Sequence, residues 1–250
     1  MSNHSGRRIV IALDMHSATE SGLSTLIDIA RRLNASVSGL YIEDQQLLSA
    51  AGLPFSTEVN YLSAEERSLD PEELERINKL ASTRARRLLE ELTERDKLTW
   101  TFAVERGDVA LRVMSDRGCD IYFPARVRQR LTIEHAVSRP AQQLVMIYRD
   151  RETFERILEV AKALSSNGAI SDITIVSETP LPAEVAEKLP VQGVRVHFQL
   201  ASSSDAISLN RLKLPGSSLV LMAKEGVESL TERQLSELLE QLPYPMMLID

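Results

Sequence analysis

The sequence predicts an α/β protein built from two similar halves, each an open parallel β-sheet flanked by helices. Three observations lead to this class. Continuous apolar runs alternate with stretches of helical periodicity. Several of these runs end at an acidic residue, as buried strands of a parallel sheet do when they reach solvent. The order of elements in the first half also recurs in the second. We place the halves at residues 1–140, with an insertion at about 45–69, and 141–250.

The first predicted unit is β-α-β. Ile9–Leu13 is an apolar run that stops at Asp14. Residues with helical spacing follow from Leu23 to Leu33, and the next predicted strand is Val37–Ile42. A strand, a helix and a second strand in this order are typical of a parallel sheet with helices packed on its faces.

An insertion separates this unit from a long helix. The segment Leu47–Leu62 is too apolar for a free linker, so we expect it to pack on the body or on a partner. The helix begins after Asp70, whose carboxylate can cap it, and Pro71 suits its first position. A third strand, Leu98–Val104, a turn at Gly107-Asp108, a helix over Val109–Asp116 and a fourth strand, Ile121–Pro124, complete the first half.

The second half repeats this order. Residues 157–164 resemble residues 26–33, and strands are predicted at 144–148, 173–176, 194–200, 219–224 and 246–249, with a helix at 231–242. Two complete five-stranded halves need ten strands, and about nine are found. Residues 144–148 could close the first half or open the second. We assign them to the second, because Asp150, which we interpret as a helix cap, and the matching helix follow. This leaves 131–137 as the first half's closing element.

Composition excludes several classes of protein. The 250 residues include 43% hydrophobic and 26% charged residues, with a net charge of −7, which suits a globular protein rather than a disordered chain or a general nucleic-acid binder. Cys119 is the single cysteine, so a disulfide framework is excluded and it is interpreted as a buried hydrophobe. We expect a cytoplasmic protein without a signal peptide or a membrane span.

Two groups of residues are candidates for binding. Asp14 ends the first strand, where open α/β sheets bind ligands, so it is either a ribose or metal contact or a helix cap. Arg126, Arg128 and Arg130 follow the fourth strand and could hold phosphate through charged donors, or form a solvated basic edge. The histidines show no metal-site spacing, and no catalytic arrangement is recognisable. We therefore expect no enzyme, no metal and no required cofactor.

The first half resembles the universal stress protein (UspA) family. Asp14 and Ser17 follow strand Ile9–Leu13, residues 104–109 match the family's V-x-x-G-x turn, and Asp120-Ile121-Tyr122-Phe123 match its D-L-I-V strand. The resemblance covers most of 7–125 and, more faintly, 141–250. It implies tandem Rossmann-like domains of the adenine nucleotide alpha hydrolase-like type. It also implies a nucleotide site that includes Asp14, Ser17 and Gly107.

The phosphate loop expected from the resemblance is degenerate. The family's loop needs glycines so that amides can approach phosphate, but residues 124–130 contain none. In the second half the matching residues 223–229 keep one glycine beside two glutamates. The resemblance therefore implies a stress-response protein, and the degenerate loops favour a regulatory or scaffolding role through protein contacts, as a homodimer or with a partner at Leu47–Leu62. The alternative is an ATP sensor in which the first half binds the nucleotide through Asp14, Ser17, Gly107, Arg126 and Arg128.

Overall fold

The structure is a computed structural model, and it describes most of the chain. The described residues are 6–14, 19–59, 66–107, 115, 117–125, 142–166, 168–189, 193–201, 214, 218–228, 230–241 and 244–250. The predicted helix at 109–116, the predicted strand at 131–137 and the proposed boundary near Pro140 lie outside the described residues, apart from Ser115.

Within the described part of the chain, nine strands form one central sheet. In chain order, all described strands are β1 Arg8–Leu13, β2 Ser36–Asp44, β3 Thr57–Val59, β4 Glu66–Ser68, β5 Trp100–Gly107, β6 Asp120–Phe123, β7 Gln143–Ile147, β8 Asp172–Ser177, β9 Arg195–Leu200, β10 Ser218–Ala223 and β11 Met246–Ile249. β3 and β4 form a separate hairpin, and the other nine strands form the central sheet. The sheet order is β5-β2-β1-β6-β11-β10-β7-β8-β9. All nine strands of the sheet were predicted from the sequence, and the α/β class is confirmed.

One antiparallel pair joins two parallel sets of strands. β5, β2, β1 and β6 run parallel, as do β9, β8, β7, β10 and β11. β6 and β11 meet antiparallel, with Tyr122 opposite Met247. The predicted strand at 144–148 is β7, and it pairs with β8 and β10. The two predicted sheets therefore form one continuous sheet.

Ion pairs flank this joint. Arg7, just before β1, forms an ion pair with Asp120 at the start of β6, and Asp120 also accepts a hydrogen bond of 3.2 Å from the backbone amide of Asp250. The side chain of Asp250 lies 3.6 Å from Lys224 Nζ at the end of β10. Asp120 and Lys224 are both buried. Charged groups of four separate segments thus meet where β1 and β6 begin and where β10 and β11 end.

The helices cover both faces of the sheet. They are α1 Glu20–Leu33, α2 Gln45–Ala51, α3 Pro71–Asp96, α4 Arg151–Ser165, α5 Ala183–Ala186, α6 Glu225–Glu228 and α7 Glu232–Gln241. α1, α3 and α4 contribute to the core on one face, and α7 contributes to the core on the other. Cys119 is buried in the second of these cores, as interpreted from the sequence.

α3 lies close to the sheet because β2 contains a glycine. A Cβ on Gly39 would lie 2.7 Å from Leu89 Cδ2 of α3 and 2.7 Å from Phe102 Cδ2 of β5. Asp70 caps α3 by accepting a 3.0 Å hydrogen bond from the amide of Glu72, as predicted. The 26-residue α3 therefore covers one face of β2 and β5.

The equivalent connection in the second set of strands is much shorter. Between β8 and β9 the described helix is α5, of four residues. Val185 of α5 reaches the core, but Phe198 and Leu200 of β9 remain 58% and 66% exposed. An edge strand is thus left largely uncovered at this end of the sheet.

The insertion both packs on the body and exposes apolar side chains. α2 contacts α3, β2 and β5, and Ala51 is buried. The following turn and hairpin expose Leu53, Phe55 and Val59, with Phe55 at 92%. The expectation that the insertion packs on the body is confirmed for its helical part.

Candidate functional site

Two predicted site residues lie on the same edge of the sheet. Asp14 directly follows β1, and Gly107 ends β5 with a φ of +154°. β2 lies between these strands, with Tyr41 opposite Leu13 and Asp44 opposite Gly107. Because all three strands are parallel, their carboxyl ends share one edge, which is where open α/β sheets bind ligands. Ser17, Arg126 and Arg128, the other predicted site residues, lie outside the described residues.

Two further residues belong to this edge, Tyr41 and Asn78, and neither was predicted as a site residue from the sequence. The buried Tyr41 hydroxyl and Asn78 Oδ1, on α3, lie 3.3 Å apart in a hydrogen bond that the hydroxyl donates. Burial, together with the carboxylates of Asp14 and Glu43, raises the pKa of Tyr41 to about 12. Asn78 falls on the buried stripe of α3, four residues after Leu74, and a polar residue at that position was the available signal.

Acidic side chains dominate the described part of this edge. Arg106 at the end of β5 binds Glu43 at 2.8 Å and Glu75 at 3.2 Å, and the hydrogen bond to Glu43 is the main cause of its raised pKa. Asp44 accepts a hydrogen bond from the amide of Leu47 in α2. The charge of Arg106 is therefore matched by carboxylates. A polyphosphate here would meet carboxylates and would need cations from elsewhere.

The end of β6 packs on the start of α1. Thr19 caps α1, and its Oγ1 accepts a 3.2 Å hydrogen bond from the amide of Gly22. A Cβ on Gly22 would lie 2.8 Å from Pro124 Cβ, so the proline stands directly against the first turn of the helix. The N-terminus of a helix is a common anion site when its amides are free. Here the Gly22 amide is used by Thr19, and Pro124 covers that residue.

In the second set of strands, the residue equivalent to Asp14 is a helix cap. Asp150 follows β7 and accepts hydrogen bonds from the amide of Thr153, at 3.0 Å, and from its hydroxyl, at 2.8 Å. Partial burial raises the pKa of Asp150, but the hydrogen bonds from Thr153 and Glu152 outweigh it, so the net pKa is lowered. The interpretation of Asp150 as a cap is confirmed.

The stretch after β10 is a short helix, not an open loop. α6 begins at Glu225, whose carboxylate pairs with Arg156 and whose carbonyl accepts a hydrogen bond from Arg149. Gly226 is buried, and a Cβ there would lie 2.9 Å from Met222 Sδ. The glycine is therefore needed for close packing on β10. Glu225 and Gly226, two of the residues matched to a phosphate loop, thus make internal contacts.

No metal site is found in the described part of the chain. No group of three or more histidine, cysteine or acidic residues there could hold an ion. His197, the described histidine, lies on β9 with Nε2 3.5 Å from Asp172. Among the helices that the structure describes, none combines the length and apolar character needed to cross a membrane.

Comparison with solved structures identifies the fold. A universal stress protein from Archaeoglobus fulgidus DSM 4304 superimposes with a TM-score of 0.52, and the match covers 98% of this chain and 96% of that one. The chain has a universal stress protein fold. At 14% identity this likeness concerns the fold alone. A universal stress protein family structure from Burkholderia pseudomallei also matches, at 13% identity over 80% of this chain and 100% of that one, but its TM-score of 0.27 carries no weight.

Searches by sequence find no relative. No family model matches the chain, and no curated protein matches it. On the universal stress protein fold, Asp14 and Gly107 occupy the carboxyl edge that the resemblance implied, and Asp150 and Gly226 have structural roles. Whether a nucleotide binds at the first edge stays a prediction.

Proposed function

We propose that this protein is a non-enzymatic, cytoplasmic regulatory or scaffolding factor of the stress response that acts through protein contacts. The stress-response role comes from the universal stress protein whose fold this chain shares. The observation that carries the rest is the use of the phosphate-loop positions for packing. Gly226 lies against Met222, and Glu225 is held by Arg149 and Arg156, which supports a structural use of these two positions.

The first set of strands supports the same proposal. Pro124 packs against Gly22 where a helix N-terminus could otherwise meet an anion. The nearby carboxylates of Glu43 and Glu75 take up the charge of Arg106. Both features disfavour a polyphosphate, since the described edge offers it carboxylates and few free donors.

The insertion is the proposed surface for a protein partner. Leu53, Phe55 and Val59 are exposed at 62%, 92% and 55%, next to a helix that fixes the segment to the body. A contiguous group of exposed apolar side chains on a fixed support is typical of an interaction site.

A second candidate function is adenine-nucleotide binding by the first half alone. It is favoured by the shared edge of Asp14 and Gly107 and by the buried polar pair Tyr41–Asn78 beside them. In this alternative, Arg126 and Arg128 replace the missing loop amides as phosphate donors.

Nucleotide content and binding separate the two functions. The protein is purified from cells and denatured, and released nucleotide is sought by mass spectrometry, while ATP binding is measured by calorimetry. The proposal expects no carried nucleotide and no binding heat. Adenine nucleotide released from the purified protein would overturn the proposal and favour the nucleotide sensor. ATP binding that is lost in Asp14→Ala and Arg128→Ala but kept in Arg84→Ala would do the same. Arg84 is the control because it is an exposed arginine on α3, away from this edge.

A second experiment tests the partner surface. A photo-crosslinking amino acid is placed at Phe55 in living cells, with Arg84 as the matched exposed position. The proposal expects a discrete crosslinked protein from position 55 and not from position 84. Equal labelling from both positions would mean that the insertion has no specific partner.

A further inference from the structure

Among the described residues, no strand pairs with the outer edge of β9, which carries apolar side chains. β9 is the last strand of the sheet, and within the described residues its one strand neighbour is β8. Phe198 and Leu200 are 58% and 66% exposed on the same face of the strand. Natural proteins usually shorten, charge or cover such edges, because an exposed apolar edge pairs with other strands.

The backbone direction places hydrogen-bonding groups that have no partner strand among the described residues beside these side chains. The amides of Arg195 and Ala201 donate to Ser171 and Ser177 on the β8 side, both at 2.9 Å. Backbone groups alternate in direction along a strand, so the odd-numbered residues of β9 face β8. The amides and carbonyls of Val196, Phe198 and Leu200 therefore point outward, away from the sheet.

The charge at this edge is already balanced. Arg195 lies 2.8 Å from Asp172 on β8, and His197 lies beside the same carboxylate. A lysine or arginine on an edge strand normally repels a second strand. Here the positive charge of Arg195 is matched within the chain, so it does not oppose the approach of a second β9.

The other end of the sheet is better protected. On β5, Trp100 and Phe102 pack against the core beneath α3, although Val104 is 48% exposed. Arg106 near the end of β5 is held by Glu43 and Glu75. The two ends differ because the connection before β5 contains the 26-residue α3 and the connection before β9 contains the four-residue α5.

We propose that β9 pairs antiparallel with β9 of a second copy of this chain, centred on Phe198, and so joins two nine-stranded sheets about a twofold axis. In this register Phe198 lies opposite Phe198 of the second copy, and Val196 lies opposite Leu200 of the second copy. His197 meets Gln199, and Arg195 meets Ala201, so no like charges face each other. The strand is thus self-complementary, as an isologous interface requires. This inference does not depend on whether the protein binds a nucleotide or another partner.

The register also explains why the second copy fits better than a single added peptide. Each β9 supplies three outward amides, three outward carbonyls and three apolar side chains on one face, so the pair satisfies both edges at once. Cross-strand apolar and aromatic pairs are the unit of sheet stabilisation. Phe198 of each copy would gain the apolar cover that α5 is too short to provide.

Solution mass tests the dimer. Light scattering after gel filtration should give twice 27.9 kDa for the unmodified chain. Phe198→Lys and Leu200→Lys should each raise the dimer dissociation constant about tenfold or more, because the first places two lysines opposite each other and the second places a lysine opposite Val196. Val104→Lys, an exposed apolar position on the opposite edge strand, is the matched control and should stay dimeric. Circular dichroism and thermal unfolding confirm that each variant is folded.

Cysteine crosslinking tests the register without depending on the folding of a charged variant. Opposite residues of an antiparallel hydrogen-bonded pair lie roughly 5.5 Å apart at Cα, which is within disulfide reach. Phe198→Cys should therefore crosslink to itself under mild oxidation. Leu200→Cys alone should not, because its copies would lie roughly 13 Å apart along the strands. A mixture of Leu200→Cys and Val196→Cys should crosslink. The unmodified chain, whose Cys119 is buried, is the negative control.

Three results would overturn the proposal. The first is a mass of 27.9 kDa for the unmodified chain at every soluble concentration. The second is a dimer that survives Phe198→Lys but dissociates in Phe55→Lys, which would place the interface on the insertion. The third is a dimer in which Phe198→Cys does not crosslink.

Discussion

Arg7 and Asp120 form an ion pair across 113 residues of sequence, where β1 begins beside β6. Asp120 is 3% exposed, and it also accepts the backbone amide of Asp250, which follows β11. The carboxylate of Asp120 in β6 therefore binds the residue before β1 and the residue after β11. It lies at the joint where the two parallel sets of strands meet antiparallel.

The first prediction concerns this carboxylate. Asp120→Ala should lower the free energy of unfolding by about 1.5–3 kcal/mol, because it removes charge-assisted hydrogen bonds at a buried site and leaves the amide of Asp250 without this acceptor. Urea unfolding measures the change. Glu91→Ala, which removes an exposed pair with Arg87 on α3, is the control and should change the value by less than about 0.5 kcal/mol. Equal losses in the two variants would mean that the joint does not depend on Asp120.

The second prediction concerns Gly39. Gly39→Ala should lower the free energy of unfolding by about 1–3 kcal/mol, since its Cβ would overlap Leu89 of α3 and Phe102 of β5. Gly52→Ala is the matched control, because its Cβ would meet nothing closer than the carbonyl of Ser49 at 3.4 Å. Thermal unfolding of the two variants side by side measures the difference. A stable Gly39→Ala protein would show that α3 can shift away from the sheet at little cost.

The third prediction concerns the alkaline limit of stability. The raised pKa of Tyr41, about 12, means that the folded protein keeps this proton after the unfolded chain has lost it near pH 10. The stabilisation is fully present below pH 10 and is lost as the pH rises through 12. Tyr41→Phe should be less stable than the unmodified protein at pH 8, because Asn78 loses its hydrogen bond. The gap should narrow between pH 10 and 12, and a constant gap in urea unfolding would contradict the prediction.

The fourth prediction concerns the cap of α4. Asp150→Ala should cost about 0.5–2 kcal/mol of stability at neutral pH, a typical value for loss of an N-cap. Because the pKa of Asp150 is lowered in the folded state, this stabilisation is present above the ordinary carboxyl value of 3.8 and is lost as the pH falls through the lowered one. Asp150→Asn keeps an acceptor oxygen without the charge, so it should retain most of the stability at pH 7 and lose its dependence on pH. Urea unfolding from pH 7 to 2 measures both variants.

Local patterns predicted the elements of this fold well. Most strands of the central sheet contain a run of apolar residues, and Asp70 and Asp150 were recognised as helix caps because capping depends on neighbours within one turn. The short helix α6 was not predicted. Its four residues hold two glutamates and a glycine, and it is fixed by Arg149 and Arg156 from elsewhere in the chain.

The candidate site was predictable in part. Asp14 was placed at the carboxyl edge because the first strand ends there, and the family resemblance placed Gly107 beside it; the structure has both at that edge, since parallel strands end on the same side. Tyr41 and Asn78 were missed, because their hydrogen bond joins β2 to a helix 37 residues later in the sequence. A polar residue on a buried helix stripe indicates a partner but does not say which one.

The sequence by itself determined which segments are strands and helices, where the principal helices begin, and which strands end at the candidate edge. Those properties depend on hydrophobic period and on short-range hydrogen bonds. The tertiary structure alone decided that β6 and β11 join two parallel sets into one sheet, that Pro124 lies against Gly22, and that Phe198 is left uncovered on β9. An apolar run predicts that a strand is buried. Which strand or helix covers it depends on contacts between residues far apart in the chain.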